Sequence, residues 1–272
     1  ASDGTLSPTA LVAAGVAAGL TVMAITDHDT TGGWDDATTA ALAHGIPLLR
    51  GVEITCDWGE FSVHLLGYLI DPDNAELAAE MERARSSRVT RMERMVGLLA
   101  ADGIPISYAE VLAQVPPGAT VGRPHLADAL VVKGIMPDRD AVFAEWLAND
   151  GPYYVKHYAP APVRAVELVR AAGGVAVHAH PFARTRGRML PISVIEDMAA
   201  AGLAGLEVDH REHDEETRQM GYQLAASLGL FVTGSSDFHG AGKLNRLGEN
   251  TTSPQVLGEI RSRATGSALV EP

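Results

Sequence analysis

Short runs of apolar and β-branched residues alternate along this chain with longer stretches in which apolar positions recur at helical spacing. The short runs predict strands at Leu20 to Thr26, Pro47 to Thr55, Val63 to Ile70, Gly174 to Ala179, Leu203 to Val208 and Leu230 to Gly234. Helical patterns lie between several of them: PTALVAAGVAAG, GGWDDATTAALAHG, PVRAVELVRAAGG, PISVIEDMAAAG and EETRQMGYQLAASLG. Ser7 before Pro8 supplies an N-cap and a first helical position, and glycines near the far ends suit helix stops. Alternation of this kind predicts an α/β fold with a mainly parallel sheet.

From about Asn74 to Tyr158 the rhythm breaks. A long helix is expected from Ala75 to Ala101, then shorter ones at SYAEVLAQV, RPHLADALVVKG and DRDAVFAEWLAND, separated by Pro and Gly. The expected division is therefore a barrel in two parts, residues 1–73 and 159–272, interrupted by a helical insertion at 74–158. No low-complexity tract and no repeat beyond the βα alternation is present.

Ionisable residues fall at or near the ends of the predicted strands. Asp27, His28 and Asp29 follow the first, and Glu53 lies near the end of the second. His178 and His180 end VAVHAH, Glu207 and Asp209 sit in GLEVDH, and GSSDFHG supplies Asp237 and His239. His64 is the exception, near the start of the third run. In a parallel barrel the C-terminal strand ends converge on one face. So many acids and imidazoles at one mouth predict divalent cations among them, and a mixed His and carboxylate set suits Zn²⁺, Mn²⁺ or Fe²⁺. Each residue also has a plainer use: a lone His at a strand end is more often hydrogen-bonded than metal-bound, Asp27 or Asp29 suits a helix cap, and Glu207 suits a carboxylate that orients a histidine. The repetition at one relative position is what favours metal.

Composition narrows the partners. Twenty-one Lys and Arg against thirty-four Asp and Glu give a formal charge of −13, which argues against duplex nucleic acid but not against a small anionic substrate. The single cysteine, Cys56, excludes an intrachain disulfide and a thiolate zinc site, and it fits a reducing cytoplasm. No apolar run is long enough to span a membrane, the chain opens on no secretory signal, and no obligate protein partner is evident.

The ordered set SDGTLSP, ITDHDT, GVEIT, VHLLGY, GRPHLADAL, AHP and GSSDFHG resembles the polymerase and histidinol phosphatase (PHP) family of metal-dependent phosphoesterases, in its branch with a helical insertion. The resemblance implies a distorted seven-stranded barrel holding two to three metals. It implies that Glu53 bridges two ions, that His64 and His180 complete the second, and that Asp237 helps hold the first. Asp3, His28 and His239 would hold the third, while His178 has no ligand counterpart. The family opens with an HxH motif just before SDG. That motif and its strand are missing here, so the sequence is expected to begin inside a longer natural chain.

Two or three divalent ions suit hydrolysis at phosphorus, because they bring the pKa of a shared water near neutrality and polarise the phosphoryl oxygen. No serine nucleophile is required, and GSSDFHG lacks the G-x-S-x-G spacing of a serine-hydrolase elbow. Arg85, Arg88, Arg91 and Arg94 recur three apart and form either a phosphate-gripping stripe or a solvated face balanced by Glu82 and Glu93. By family resemblance Arg123 and His125 face the metals, with Arg88 the stripe's candidate and Arg184 a weaker one. The branch implies release of phosphate from nucleoside 3′,5′-bisphosphates or 5′ to 3′ trimming of short oligonucleotides. Histidinol phosphate hydrolysis is the same chemistry on another leaving group. The rivals are a metal-dependent amidohydrolase, disfavoured because no Lys stands at a strand end, and a non-catalytic PHP domain.

Overall fold

A computed structural model describes residues 2–59, 61–116, 119–148, 150–183 and 189–272. They form two compact units: Gly4–Met81 with Ala159–Pro272, and Glu82–Tyr158 with Ser2 and Asp3.

The first unit is built on a sheet of β1 (Met23–His28), β2 (Leu48–Trp58), β3 (Phe61–Tyr68), β4 (Val175–His178), β5 (Gly205–Asp209) and β6 (Phe231–Gly234), which lie side by side in chain order. All six predicted runs form strands. The expectation of a mainly parallel sheet needs one amendment. β1/β2, β4/β5 and β5/β6 pair parallel, but β3 runs antiparallel to both its neighbours. The cause is the turn after Trp58, which pairs with Phe61 across a hairpin, with Gly59 in the left-handed conformation that glycine tolerates.

Alternation along the strands sorts residues to two faces. Ile25, Leu48, Val52, Ile54, Leu65, Leu206 and Val208 face one apolar core. There they meet Val12, Trp34, Ala37, Ala41, Val166, Val169, Ile195 and Met198, from the helices Pro8–Ala17, Trp34–His44, Pro162–Ala171 and Ile192–Ala200. The other face carries a smaller core, Leu49, Leu66, Tyr68, Val175, Val177 and Phe231, with Ile260 from the helix Pro254–Arg263. That last helix escaped the sequence reading although Ser253 and Pro254 repeat the Ser7 and Pro8 start, and the Ser253 hydroxyl accepts the Val256 N–H.

The second unit is helical. It takes up the helix Ala75–Ala101 from Glu82 and continues through Tyr108–Leu112, Arg123–Val132 and Arg139–Val142. Met92, Met95, Leu99, Leu126, Leu130 and Leu147 are buried in its core. Ser107 and Glu110 close a capping box at the start of Tyr108–Leu112. The single helix expected over DRDAVFAEWLAND instead passes into a π-helical turn, Phe143–Leu147. No helix among the described residues is long and apolar enough to cross a membrane.

Gly234 ends β6 just before Ser235, Ser236 and Asp237, and a Cβ there would lie 2.7 Å from the Thr251 carbonyl oxygen and 2.8 Å from Asp209 Cβ. Backbone on one side and a neighbouring strand on the other cannot both yield. Gly234→Ala is expected to lower stability by about 1–3 kcal/mol, as overpacking does, read as a shifted urea midpoint at unchanged slope.

Candidate metal centre

The sheet unit gathers its acids and imidazoles on the face opposite the larger core. His28, the last residue of β1, pairs with Glu53 on β2; across β3, Leu66 stands opposite Glu53 and His64 opposite Thr55. Because β3 is reversed, its beginning lies beside the far part of β2. The apparent exception in the sequence is thus brought to the same end of the sheet as the others.

Glu53 is the hub. Its Oε1 is 2.6 Å from His64 Nδ1 and 3.4 Å from His180 Nε2, and its Oε2 is 3.9 Å from His28 Nδ1. The rings of His28 and His64 meet edge to face at 4.9 Å, and those of His64 and His180 at 5.2 Å. Burial alone would raise the Glu53 pKa, but His28, His64 and His180 outweigh it and hold the carboxyl well below its usual range.

The segment after β6 supplies Asp237 and His239. Asp237 Oδ1 is 3.5 Å from His239 Nδ1, and its Oδ2 lies 2.7 Å from Lys243 Nζ and 3.8 Å from His210 Nε2. Burial opposes its charge, but His210, Lys243 and His239 depress its pKa. His239 donates Nδ1–H to the Asp237 carbonyl at 2.7 Å, which leaves Nε2 as the lone-pair nitrogen. Asp29, His180 and Asp237 all adopt positive φ (52°, 31° and 47°), a conformation uncommon outside glycine. Three sharp corners at strand ends fit a site whose geometry is enforced by its surroundings.

Several residues have roles that the sequence did not disclose. His178 pairs with Leu65, which faces the larger core, so strand parity turns it away from Glu53. Asp29 caps no helix: its Oδ1 accepts the Thr55 N–H at 3.0 Å. Glu207 accepts the His180 main-chain N–H at 3.1 Å, and burial pushes its pKa up to about 7. His210 is completely buried, its ring 5.3 Å from that of His180, and its Nδ1 accepts the Glu212 N–H. It stands in GLEVDH, one position beyond the acids read from that stretch. His213 accepts from Phe182 N–H and donates to the Val208 carbonyl, bolting two loops together.

In the helical unit, Asp3 accepts a hydrogen bond from Ser2. The arginine stripe divides. Arg85 pairs with Glu82 at 2.5 Å, Arg94 is exposed and Arg88 is half-buried. Arg91 is buried and donates to His157 Nδ1 at 3.2 Å. Burial, then Arg123 and Arg88, lower the Arg91 pKa to about 9; burial and then Arg91, Arg88, Arg123 and Lys156 lower that of His157 to about 3. Arg123 donates to the Leu147 carbonyl and lies over Tyr154 and Phe143. His125 is buried, and its Nδ1 accepts the Gly122 N–H at the helix start, leaving only Nε2 for any other task. Arg184 lies outside the described residues.

The donor set fits a divalent cation. One ligand atom each from His28, Glu53 and His64 lie within 4.8 Å of one another. Atoms each roughly 2.1 Å from a shared ion would stand about 3–4 Å apart. The chain is similar to known proteins. Residues 1–102 match the PHP domain. The chain is 36% identical over 245 residues to a 3′,5′-nucleoside bisphosphate phosphatase of Chromobacterium violaceum, covering 90% of this chain and 86% of the relative.

The chain belongs to the PHP family.

A 5′-3′ exoribonuclease of Haemophilus influenzae is 34% identical over 242 residues, covering 88% of this PHP chain and 86% of its own length. Among solved structures, a metal-dependent phosphoesterase candidate from Bifidobacterium adolescentis superposes with a TM-score of 0.93 at 43% identity, covering 97% of this chain and 93% of its own. An amidohydrolase from Chromobacterium violaceum, solved with bound sulfate and no metal, superposes with a TM-score of 0.83 at 33% identity, covering 97% and 94%.

One acid-linked effect follows from His178. Burial, with smaller contributions from His64 and His213, lowers its pKa from 6.5 to about 3. The unfolded chain therefore takes up the proton first. Stability is intact above pH 6.5 and declines as pH falls toward 3, by about 2 kcal/mol at pH 5 from this residue alone. Urea unfolding of metal-stripped protein at pH 7.5 and pH 5 should show His178→Gln shrinking the difference by about that amount.

Proposed function

We propose that this PHP phosphoesterase hydrolyses a phosphate ester of a nucleoside 3′,5′-bisphosphate or of the 5′ end of a short oligonucleotide. The observation that carries the reading is Glu53, a buried carboxylate with the ring nitrogens of His28, His64 and His180 within 3.9 Å. Two of the relatives are named for these substrates, a bisphosphate phosphatase and an exoribonuclease. The reading takes the six strands as part of a seven-stranded barrel of PHP type.

In this reading Glu53, His64 and His180 hold one ion and Asp237 serves a neighbouring one. His28 and His239, with Asp3 added by the family resemblance alone, belong to a third. Bound Mn²⁺, Zn²⁺ or Fe²⁺ would supply Lewis-acid polarisation of a phosphoryl oxygen and activation of water. The residues do the positioning. Glu207 fixes the backbone at His180, and the carbonyl of Asp237 sets the His239 tautomer. Lys243 pairs with Asp237 and brings a cation to the rim.

Arg88, Arg91 and Arg123 supply a guanidinium cluster suited to a phosphate group. The electrostatic neighbours that shift Arg91 include Arg123 and Arg88, so like charges have been gathered against their own repulsion. An anionic ligand relieves that cost. The lone cysteine, buried at Cys56, supports a cytoplasmic setting.

The test is a phosphate-release panel on full-length protein with a nucleoside 3′,5′-bisphosphate, a short 5′-phosphorylated RNA and histidinol phosphate. His64→Ala and Asp237→Asn should each cut kcat by on the order of a hundredfold or more, since even supporting partners of metal ligands cost up to that much, with the circular dichroism spectrum unchanged. Normal turnover in either variant would remove the assigned cluster, and ammonia in place of phosphate would favour an amidohydrolase. Arg88→Ala should raise KM about tenfold with kcat little changed, the size of one charge-assisted hydrogen bond.

A further inference from the structure

Asp29 is wholly buried, one residue past His28, where β1 turns away from β2. The following helix starts only at Trp34, behind its N-cap Gly33, and Asp29 is not its N-cap residue. It is engaged on β2. Its main-chain N–H donates to the Glu53 carbonyl at 3.0 Å, and its Oδ1 accepts the Thr55 N–H at 3.0 Å. One residue thus holds β2 at two points immediately after the Glu53 side chain, at that residue's own carbonyl and at the amide two positions on.

The β1/β2 ladder ends at the pair His28 and Glu53. Beyond it a parallel neighbour would offer a main-chain carbonyl to the next amide. Asp29 offers a side-chain oxygen in its place, and its φ of +52° is the corner that brings that oxygen round. Aspartate is among the few residues that adopt this conformation readily, and it also carries an acceptor of the right reach.

We infer that Asp29 is a positioning residue for the Glu53 carboxylate, extending the hold on β2 past the end of β1 so that Glu53 meets His28, His64 and His180 in one fixed orientation. The inference rests on the metal reading above. It assigns Asp29 no contact with substrate or ion. What the position requires is an acceptor at Oδ1, which Asn retains and Ala does not.

The experiment is calorimetric titration of Mn²⁺ into metal-stripped full-length protein, comparing wild type, Asp29→Asn, Asp29→Ala and His64→Ala, with thermal unfolding of each apo form. His64→Ala removes a ligand of the same ion and shows what loss of that site looks like. Asp29→Ala should bind Mn²⁺ about ten- to a hundredfold more weakly, the usual range for partners that orient metal ligands, and Asp29→Asn should stay within about threefold of wild type. Wild-type affinity in folded Asp29→Ala overturns the inference and leaves the metal reading standing. So does an equal loss in Asn and Ala, which would make charge rather than the acceptor decisive. If Asp29→Ala does not fold, Asp29→Asn decides alone: a tenfold loss overturns the inference, and retention supports it. Wild-type protein that takes up no Mn²⁺ overturns the metal reading and the inference with it.

Discussion

A carboxylate buried on the inner face of a sheet is costly unless its charge is answered, and Glu53 sets the terms on which this unit is assembled. Three imidazoles from β1, β3 and the end of β4 answer it within 3.9 Å. Strand registers, the turn after Trp58 and the corner at His180 all serve that meeting. The same face also carries apolar residues: Leu66 and Val177 stand in the cross-strand row of Glu53, and Leu49 lies four residues earlier on β2. Polar chemistry and hydrophobic packing thus share one surface, and Glu53 has apolar neighbours in its own row.

Main-chain contacts do much of the work. Asp29 and Glu207 aim their carboxylates at backbone amides, and His213 joins the Phe182 and Val208 backbones. In the proposed site such partners would fix where a ligand atom sits before any ion arrives. The positive φ values at Asp29, His180 and Asp237 mark where that order is enforced.

Much of this was legible in the letters. The strands were, because β-branched runs between turn residues have few other uses. His28, Glu53 and His180 were, because acids and imidazoles at strand ends repeat through the chain, whereas His64, at the start of its run, was read from the family resemblance. The direction of His178 was not legible: alternate positions put it on the same face as His180, and only its pairing with Leu65 and the left-handed corner at His180 separate the two. His210 and His213 were hidden for a different reason. They follow β5 in a loop, where no period constrains direction, so letters alone do not say which side chain turns inward. The π-helical turn at Phe143–Leu147 likewise depends on tertiary packing that propensity does not report.

The residue that closes β3, Tyr68, pairs with the residue that opens β4, Val175. Of the stretch between them, residues 69–81 and 159–174 belong to the sheet unit, Val166 and Val169 of its core among them, and the helical unit takes only Glu82–Tyr158. The two ends of that unit meet, Tyr158 donating its N–H to Ser87 Oγ at 2.7 Å with Arg83 over the Tyr158 ring, so an excision or exchange of Glu82–Tyr158 asks only for a short connection. A lineage is thus free to recast one helical module while the histidines and acids of the sheet keep their places.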